Sequence, residues 1–183
     1  MNALRFVGAM VATLAILSLA GWALASAFLP KPVRYFHTSY MEFAIPDRWY
    51  CHREGTEFLC EPRERPPDGL RAIMIVGAKL RGAMDDRDAY IEHLRTPRVV
   101  RGGERMSVVE EVSTFETQGR EWVFGAQFES EIPKFRTRYY VSYTDTLAAA
   151  VTFTTHESIE GRYDEDVVIL LESLKLFDAR DLR

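Results

Sequence analysis

Cysteine is almost absent from this sequence: Cys51 and Cys60 are the only two, too few for a four-sulfur zinc site. Neither follows the amino-terminal apolar run closely, which excludes a lipid-anchored lipoprotein. An excess of positive charge is missing as well. The net charge of −4 offers no basic stripe to neutralise phosphates, so no nucleic-acid partner is expected. No catalytic or nucleotide-binding signature stands out. The four histidines, His37, His52, His93 and His156, lie on separate elements and do not pair at helical spacing to present two metal ligands. Asp85, Asp86 and Asp88 lack the glycine and distal glutamate of a calcium loop. Neither Ser158 nor Ser173 has a histidine with an acidic orienter close in sequence. No catalytic residue, metal or cofactor is therefore nominated.

A long apolar run is present. Phe6 to Leu29 contains no charged residue, and at about 1.5 Å per residue it reaches about 36 Å as a helix, enough to cross a hydrocarbon core of about 30 Å. Ala23, Ala25 and Ala27 supply small residues at the spacing of a signal-peptidase site, after Ala25 or Ala27. The run exceeds the usual length of a signal peptide's apolar region, which favours an uncleaved single-span anchor, with a cleaved signal as the alternative. Residues 1–30 are thus read as an anchor or signal helix. Residues 31–38, flanked by Pro30 and containing Pro32, read as a short stiff linker. Residues 39–183 read as one domain of ordinary composition, large enough to bury its own core. Arg5 on one side of the run and Lys31 and Arg34 on the other give no clear positive-inside bias, so the cysteines must decide the compartment.

Cys51 and Cys60 flank Gly55-Thr56 symmetrically within two runs that read as strands, Trp49 to Glu54 and Glu57 to Glu61. A two-residue II′ loop with glycine first makes residues 54 and 57 the closing pair. Counting outward brings Cys51 opposite Cys60 at a non-hydrogen-bonded position, with Cα atoms about 4.5 Å apart, within reach of a disulfide. His52 points to the opposite strand face, which disfavours a shared metal. Disulfides persist in oxidising compartments, so the pair predicts an extracytoplasmic domain.

Alternation predicts further strands at Tyr40 to Ile45, Arg71 to Lys79, Met106 to Glu116 and Leu147 to Thr155, with two more in the runs around Trp122 to Phe128 and Phe135 to Tyr143. Asp85 or Asp86 is placed to cap a short helix carrying Tyr90, Ile91 and Leu94 on one face, stopped at Thr96-Pro97. A second helix is read through Tyr163, Val167, Leu170, Leu171, Leu174 and Phe177, with Asp164, Glu165 and Asp166 complementing its positive end. The order implies an α+β domain, an antiparallel sheet flanked by helices. Trp49, Tyr50 and Trp122 could line a groove, but aromatics on alternating strands more often fill the core.

With its strand end Ile45-Pro46-Asp47-Arg48-Trp49 and its closing segment Leu171-Glu172-Ser173-Leu174-Lys175, residues 39–177 resemble the PsbP-like family. That family comprises the extrinsic photosystem II subunit and related exported bacterial proteins. The resemblance implies an antiparallel sheet between helices and a non-enzymatic role in assembling or stabilising membrane complexes. It brings no catalytic residues.

The leading expectation is therefore an extracytoplasmic module at the cell membrane, attached through residues 6–29, that binds a protein partner in a membrane complex. Its contact surface would be the sheet face or the basic stretch Arg95, Arg98, Arg101 and Arg105 around Gly102-Gly103, a candidate anion or partner contact. A small-molecule or lipid binder would instead need a closed apolar pocket between sheet and terminal helix. A hydrolase-like enzyme would need a histidine and a carboxylate converging beside a nucleophile.

Overall fold

The structure, a computed structural model, describes residues 32–64, 71–83, 85–100 and 105–177. The predicted span at 6–29, its alternative cleavage site, and Arg101 lie outside them. Among the described residues no helix is long and apolar enough to cross a membrane.

The first strands are β1 (Val33–His37), β2 (Met41–Pro46), β3 (Trp49–Glu54), β4 (Glu57–Pro62) and β5 (Ala72–Leu80). Helix α1 (Arg87–Arg95) separates them from β6 (Val108–Thr117), β7 (Arg120–Phe128), β8 (Phe135–Tyr143) and β9 (Leu147–His156). Helix α2 (Asp164–Ser173) and the two-residue β10 (Lys175–Leu176) close the chain. All described pairings are antiparallel, and the α+β class is as expected.

The hairpin count holds residue for residue. Glu54 pairs with Glu57 and Cys51 with Cys60, and the two cysteines are joined with their Cα atoms 4.0 Å apart. Gly55 takes φ +61°, the left-handed value required of the first residue of a II′ loop. Helix α1 is capped by Asp86, whose Oδ1 accepts from the Ala89 N–H at 2.9 Å.

Two expectations need correction. The reading of 31–38 as a linker fails, because Val33–His37 is a strand that pairs with β2 along its whole length, so the domain begins at Val33 rather than at residue 39. Its residues barely alternate, and the pairing with β2 supplies what their local pattern lacks. The closing helix also ends earlier than its apolar spacing suggests. Ser173 is its last residue; Leu174 has extended backbone, and Lys175–Leu176 joins β2 as a third strand. Within the expected antiparallel architecture the strands form two sheets, β1-β2-β10 and β3-β4-β5-β9-β8-β7-β6.

The small sheet and α2 bury one face of the large sheet. Met41, Phe43 and Ile45 of β2, Trp49 of β3, Met74 and Val76 of β5, Val151 and Phe153 of β9, and Val167 and Leu170 of α2 form a continuous core. Helix α1 covers the opposite face, but only over β6, β7 and β8. There Leu94, fully buried, lies against Val123 and Tyr139, a burial that contributes about 1.5–3 kcal/mol. Trp49 and Trp122 are core residues, while Tyr50 is exposed.

Asp166 departs furthest from its expected part. It does sit in the first turn of α2, but it is fully buried. Its Oδ2 accepts from Trp49 Nε1 at 2.7 Å and from Arg48 Nε at 2.7 Å. Arg48 also lies over the Tyr163 ring. Ser173, at the other end of α2, accepts from the Ala44 N–H at 2.9 Å, its own proton facing the Leu170 carbonyl at 2.9 Å and the Ala44 carbonyl at 3.2 Å, so both ends of the helix are tied to the β2–β3 segment. Asp166→Ala strands the buried indole N–H and is expected to lower the unfolding free energy by about 2–4 kcal/mol. Asp166→Asn, which keeps an acceptor for the indole, should lose less. The check is the urea midpoint at unchanged slope, and a midpoint unmoved by Asp166→Ala would show the contact to be dispensable.

Candidate functional trough on the open sheet face

On the face that carries α1, no helix among the described residues lies over strands β4, β5 and β9. Sheet geometry places one row of side chains across this area: Glu57 opposite Gly77, Gly77 opposite Ala150, and Ala150 opposite Val141. The neighbouring row runs Leu59, Ile75, Thr152, Tyr139. The floor is low because Gly77, Ala148 and Ala150 have little or no side chain. Tyr90 and Asp85, at the amino-terminal part of α1, form one wall with Tyr143, while Glu57 and Thr56 form the other. The result is a cleft of about 270 Å³, open along its top.

Its polar groups are few and differ in freedom. Lys79 Nζ lies 2.8 Å from Asp85 Oδ1, and Asp85 Oδ2 accepts from the Gly82 N–H at 2.7 Å. Lys79 first and the Gly82 amide second hold the Asp85 carboxyl below the usual range. Burial pushes the Tyr90 phenol well up, so it remains neutral and polar at physiological pH. Burial raises Tyr143 as well, and Arg81 stacks over its ring at 5.2 Å. Glu57 has no ion pair among the described residues, and its stem lies across Gly77. Among the described residues that line the cleft there is no histidine, cysteine or serine.

The basic stretch is placed at the other end of α1. Arg98 donates to Glu131 Oε1 at 3.1 Å, contacts His93 Nε2 at 2.6 Å and stacks over Tyr139. Arg105 lies 3.5 Å from Glu129, and Arg95 is exposed with no ion pair among the described residues. Arg95, Arg98 and Arg105 thus gather at one end of the domain, although Arg98 is largely committed to internal contacts.

The histidines stay apart. His37 is on β1, His52 on β3 beside Glu54, and His93 on α1; His156 ends β9, where its Nδ1 accepts from the Ser158 N–H. Among the described residues no group of three or more His, Cys, Asp or Glu is placed to hold a metal. Asp85, Asp86 and Asp88 divide into a trough residue, a helix cap and an Arg87 partner. The trough itself was missed from sequence. Its one local signal is small residues where strand residues are usually bulky: Gly77 within an apolar strand and the run Ala148-Ala149-Ala150 in β9.

No family model matches the chain, and no curated protein matches it in sequence. Solved structures do share its fold. It is similar to cyanobacterial PsbP (CyanoP) from Synechocystis sp. PCC 6803, with a TM-score of 0.56 at 9% identity over 82% of this chain and 95% of that one. It is equally similar to LpqN of Mycobacterium tuberculosis, a protein involved in cell envelope biogenesis, with a TM-score of 0.56 at 9% identity over 79% of this chain and 90% of that one. A Pseudomonas aeruginosa protein of unknown function gives a TM-score of 0.50 at 9% identity, covering 76% and 94%. The fold is therefore PsbP-like, as the sequence resemblance implied.

Two glycines separate an open floor from a packed interface. A Cβ at Gly125 would fall 2.8 Å from the Leu94 Cδ1 atom, in the buried contact under α1, whereas a Cβ at Gly77 would meet only the stem of exposed Glu57, at 2.9 Å. Gly125→Ala is expected to destabilise by about 1–3 kcal/mol through overpacking. Gly77→Ala should stay within about 0.5 kcal/mol of the parent. Chemical denaturation of the pair checks this, and a large loss at Gly77 would mean that the trough floor is a folding requirement.

Proposed function

We propose that this chain is an exported, membrane-anchored binding module without catalysis of its own, and that the trough receives a segment of a protein partner in a membrane complex. The observation that carries the reading is the uncovered floor of Gly77, Ala148 and Ala150 between the α1 wall and Glu57. Such a surface admits an extended segment closely, and apolar contact with Ile75, Ala150 and the aromatic wall would supply affinity.

The alternatives fit the trough less well. A small-molecule site is ordinarily a cavity of about 300–1,000 Å³ that encloses most of its ligand, and this cleft is smaller and open above. An enzyme of the hydrolase kind would need a nucleophile beside a base and an orienting group. The cleft offers two carboxylates, one of them engaged by Lys79 and a backbone amide. The PsbP-like fold of CyanoP and the cell-envelope role of LpqN support an exported module that works beside membranes.

Two experiments test the reading. A photo-activated cross-linker placed at Ala150 in the full chain, irradiated in gently solubilised native membranes, is expected to trap one partner stoichiometrically. The same group at exposed Val168 on α2 should trap little. Equal yields at the two positions, or no stoichiometric product, would remove the trough as the contact surface. The compartment is tested by alkylating unreduced protein from its native source, where neither Cys51 nor Cys60 should be labelled before reduction. Labelling of both would falsify the export reading.

A further inference from the structure

Strand registers fix which parts of the domain share an end. Val33 pairs with Pro46, and Pro46 leads within three residues to Trp49, which pairs with Pro62. Cys60 pairs with Met74, so the end of β4 lies beside the start of β5, and Ala72 pairs in turn with Thr155 near the end of β9. Across the rest of the sheet His156 pairs with Phe135, Arg136 with Phe128, and Phe128 with Val108. The chain therefore enters the domain at the sheet end where β7 leads to β8 and where the segment between α1 and β6 emerges. Gly55-Thr56, the β8–β9 turn and most of the trough wall lie toward the opposite end.

That first end carries half of the large apolar side chains that the described residues expose. Val99 is 65% exposed, Met106 51%, Val108 57% and Ile132 41%. Val99 and Met106 are bridge partners, Val108 follows two residues on, and Ile132 adjoins Glu131, the partner of Arg98. Arg98 adjoins Val99 and Arg105 adjoins Met106 in the chain, and Arg95 ends α1 just before them. Glu129 and Glu131 are each paired to an arginine, while Arg95 is unpaired among the described residues. Exposed apolar side chains with arginines beside them match an interface of acyl chains beneath anionic headgroups. Only Pro30, Lys31 and Pro32 separate Val33 from the uncharged run that ends at Leu29.

We infer that the domain end bearing Val99, Met106, Val108 and Ile132 rests on an anionic bilayer surface, with Arg95 and Arg105 at the headgroups. The inference builds on the anchored reading of residues 6–29 and adds an orientation to it. The trough is turned away from the lipid, toward whatever stands above the membrane.

The test uses the full chain in nanodiscs that contain a gadolinium-labelled headgroup lipid, made either from phosphatidylcholine alone or from equal parts phosphatidylcholine and phosphatidylglycerol. Methyl signals of Val99, Met106, Val108 and Ile132 are expected to broaden strongly in the anionic discs and several-fold less in the neutral ones. Those of Ala150 and Leu80 should stay sharp in both. Arg95→Glu combined with Arg105→Glu should remove most of the broadening, since each arginine at such a surface contributes about fivefold in binding. Unchanged Val76 and Val151 methyls would show that the fold is intact. Broadening at Ala150 and Leu80 instead, or broadening indifferent to lipid charge and to both substitutions, would overturn the inference. Co-elution with the disc in detergent-free buffer reads the anchor separately. A chain that leaves the disc refutes the anchor and the orientation together, whereas a retained chain with sharp patch methyls refutes the orientation alone.

Discussion

The buried carboxylate of Asp166 is the contact on which the architecture turns. An acidic side chain taken out of water needs partners supplied by the protein, and here Trp49 and Arg48, from one short turn, both donate to Oδ2, while the buried Oδ1 has no hydrogen-bond partner among the described residues. That turn is where the chain passes from the small sheet to the large one, so the same contact sets the helix, the small sheet and the cysteine hairpin against one another. Ser173 supplies a second tie one helix length away by accepting from the Ala44 N–H. With two ties, α2 has little freedom to slide along β2. The Pro-x-x-Trp segment that suggests a PsbP-like chain thus has a physical task, which is to bring an indole and a guanidinium together at one acidic side chain.

The rest follows from where two short helices can reach. Once α2 and the small sheet occupy one face of the seven strands, the other face needs cover of its own, and α1 is only nine residues long. A helix of that length spans about 14 Å. Leu94 enters the space left by Gly125 and fixes α1 over β6, β7 and β8, leaving β4, β5 and β9 bare. Exposed sheet faces are ordinarily polar. This one instead carries Ile75, Ala150 and Gly77 beside Glu57, which has no ion pair among the described residues, so the open area differs from an ordinary solvated sheet face.

What could be read from the sequence was what local geometry dictates. The cysteine pairing follows from a two-residue loop because every position outward is then forced, and the α1 cap follows from one aspartate before an apolar stripe. Features set by distant partners were hidden. β1 has weak alternation and becomes a strand because β2 offers it an edge. Asp166 sits where an acid suits a helix dipole, and nothing nearby discloses that an indole 117 positions away in the chain binds it. The trough was hidden for a further reason: it is made of small side chains, and their importance depends on which strands α1 leaves uncovered. The basic stretch was visible as charge, but its division into a committed Arg98 and exposed Arg95 and Arg105 needed Glu131, His93 and Tyr139 in place.

The sheet edges bear on how a partner can engage. Strand addition requires an exposed edge with free backbone groups and little obstruction. At one edge of the large sheet β6 presents Glu110, Glu111 and Glu116 to solvent, with a register irregularity between Val109 and Glu111. At the other edge β3 is only six residues long, bound to β4 by the disulfide, and ends in exposed Arg53 and Glu54. Charge, a bulge and brevity are the devices by which natural sheets discourage edge pairing. With both edges blunted, a partner gains more by lying across the open face, where the contacts are made by side chains and the backbone ladder is already complete. A domain with such edges offers an extended segment no template for strand addition and hence little for aggregation.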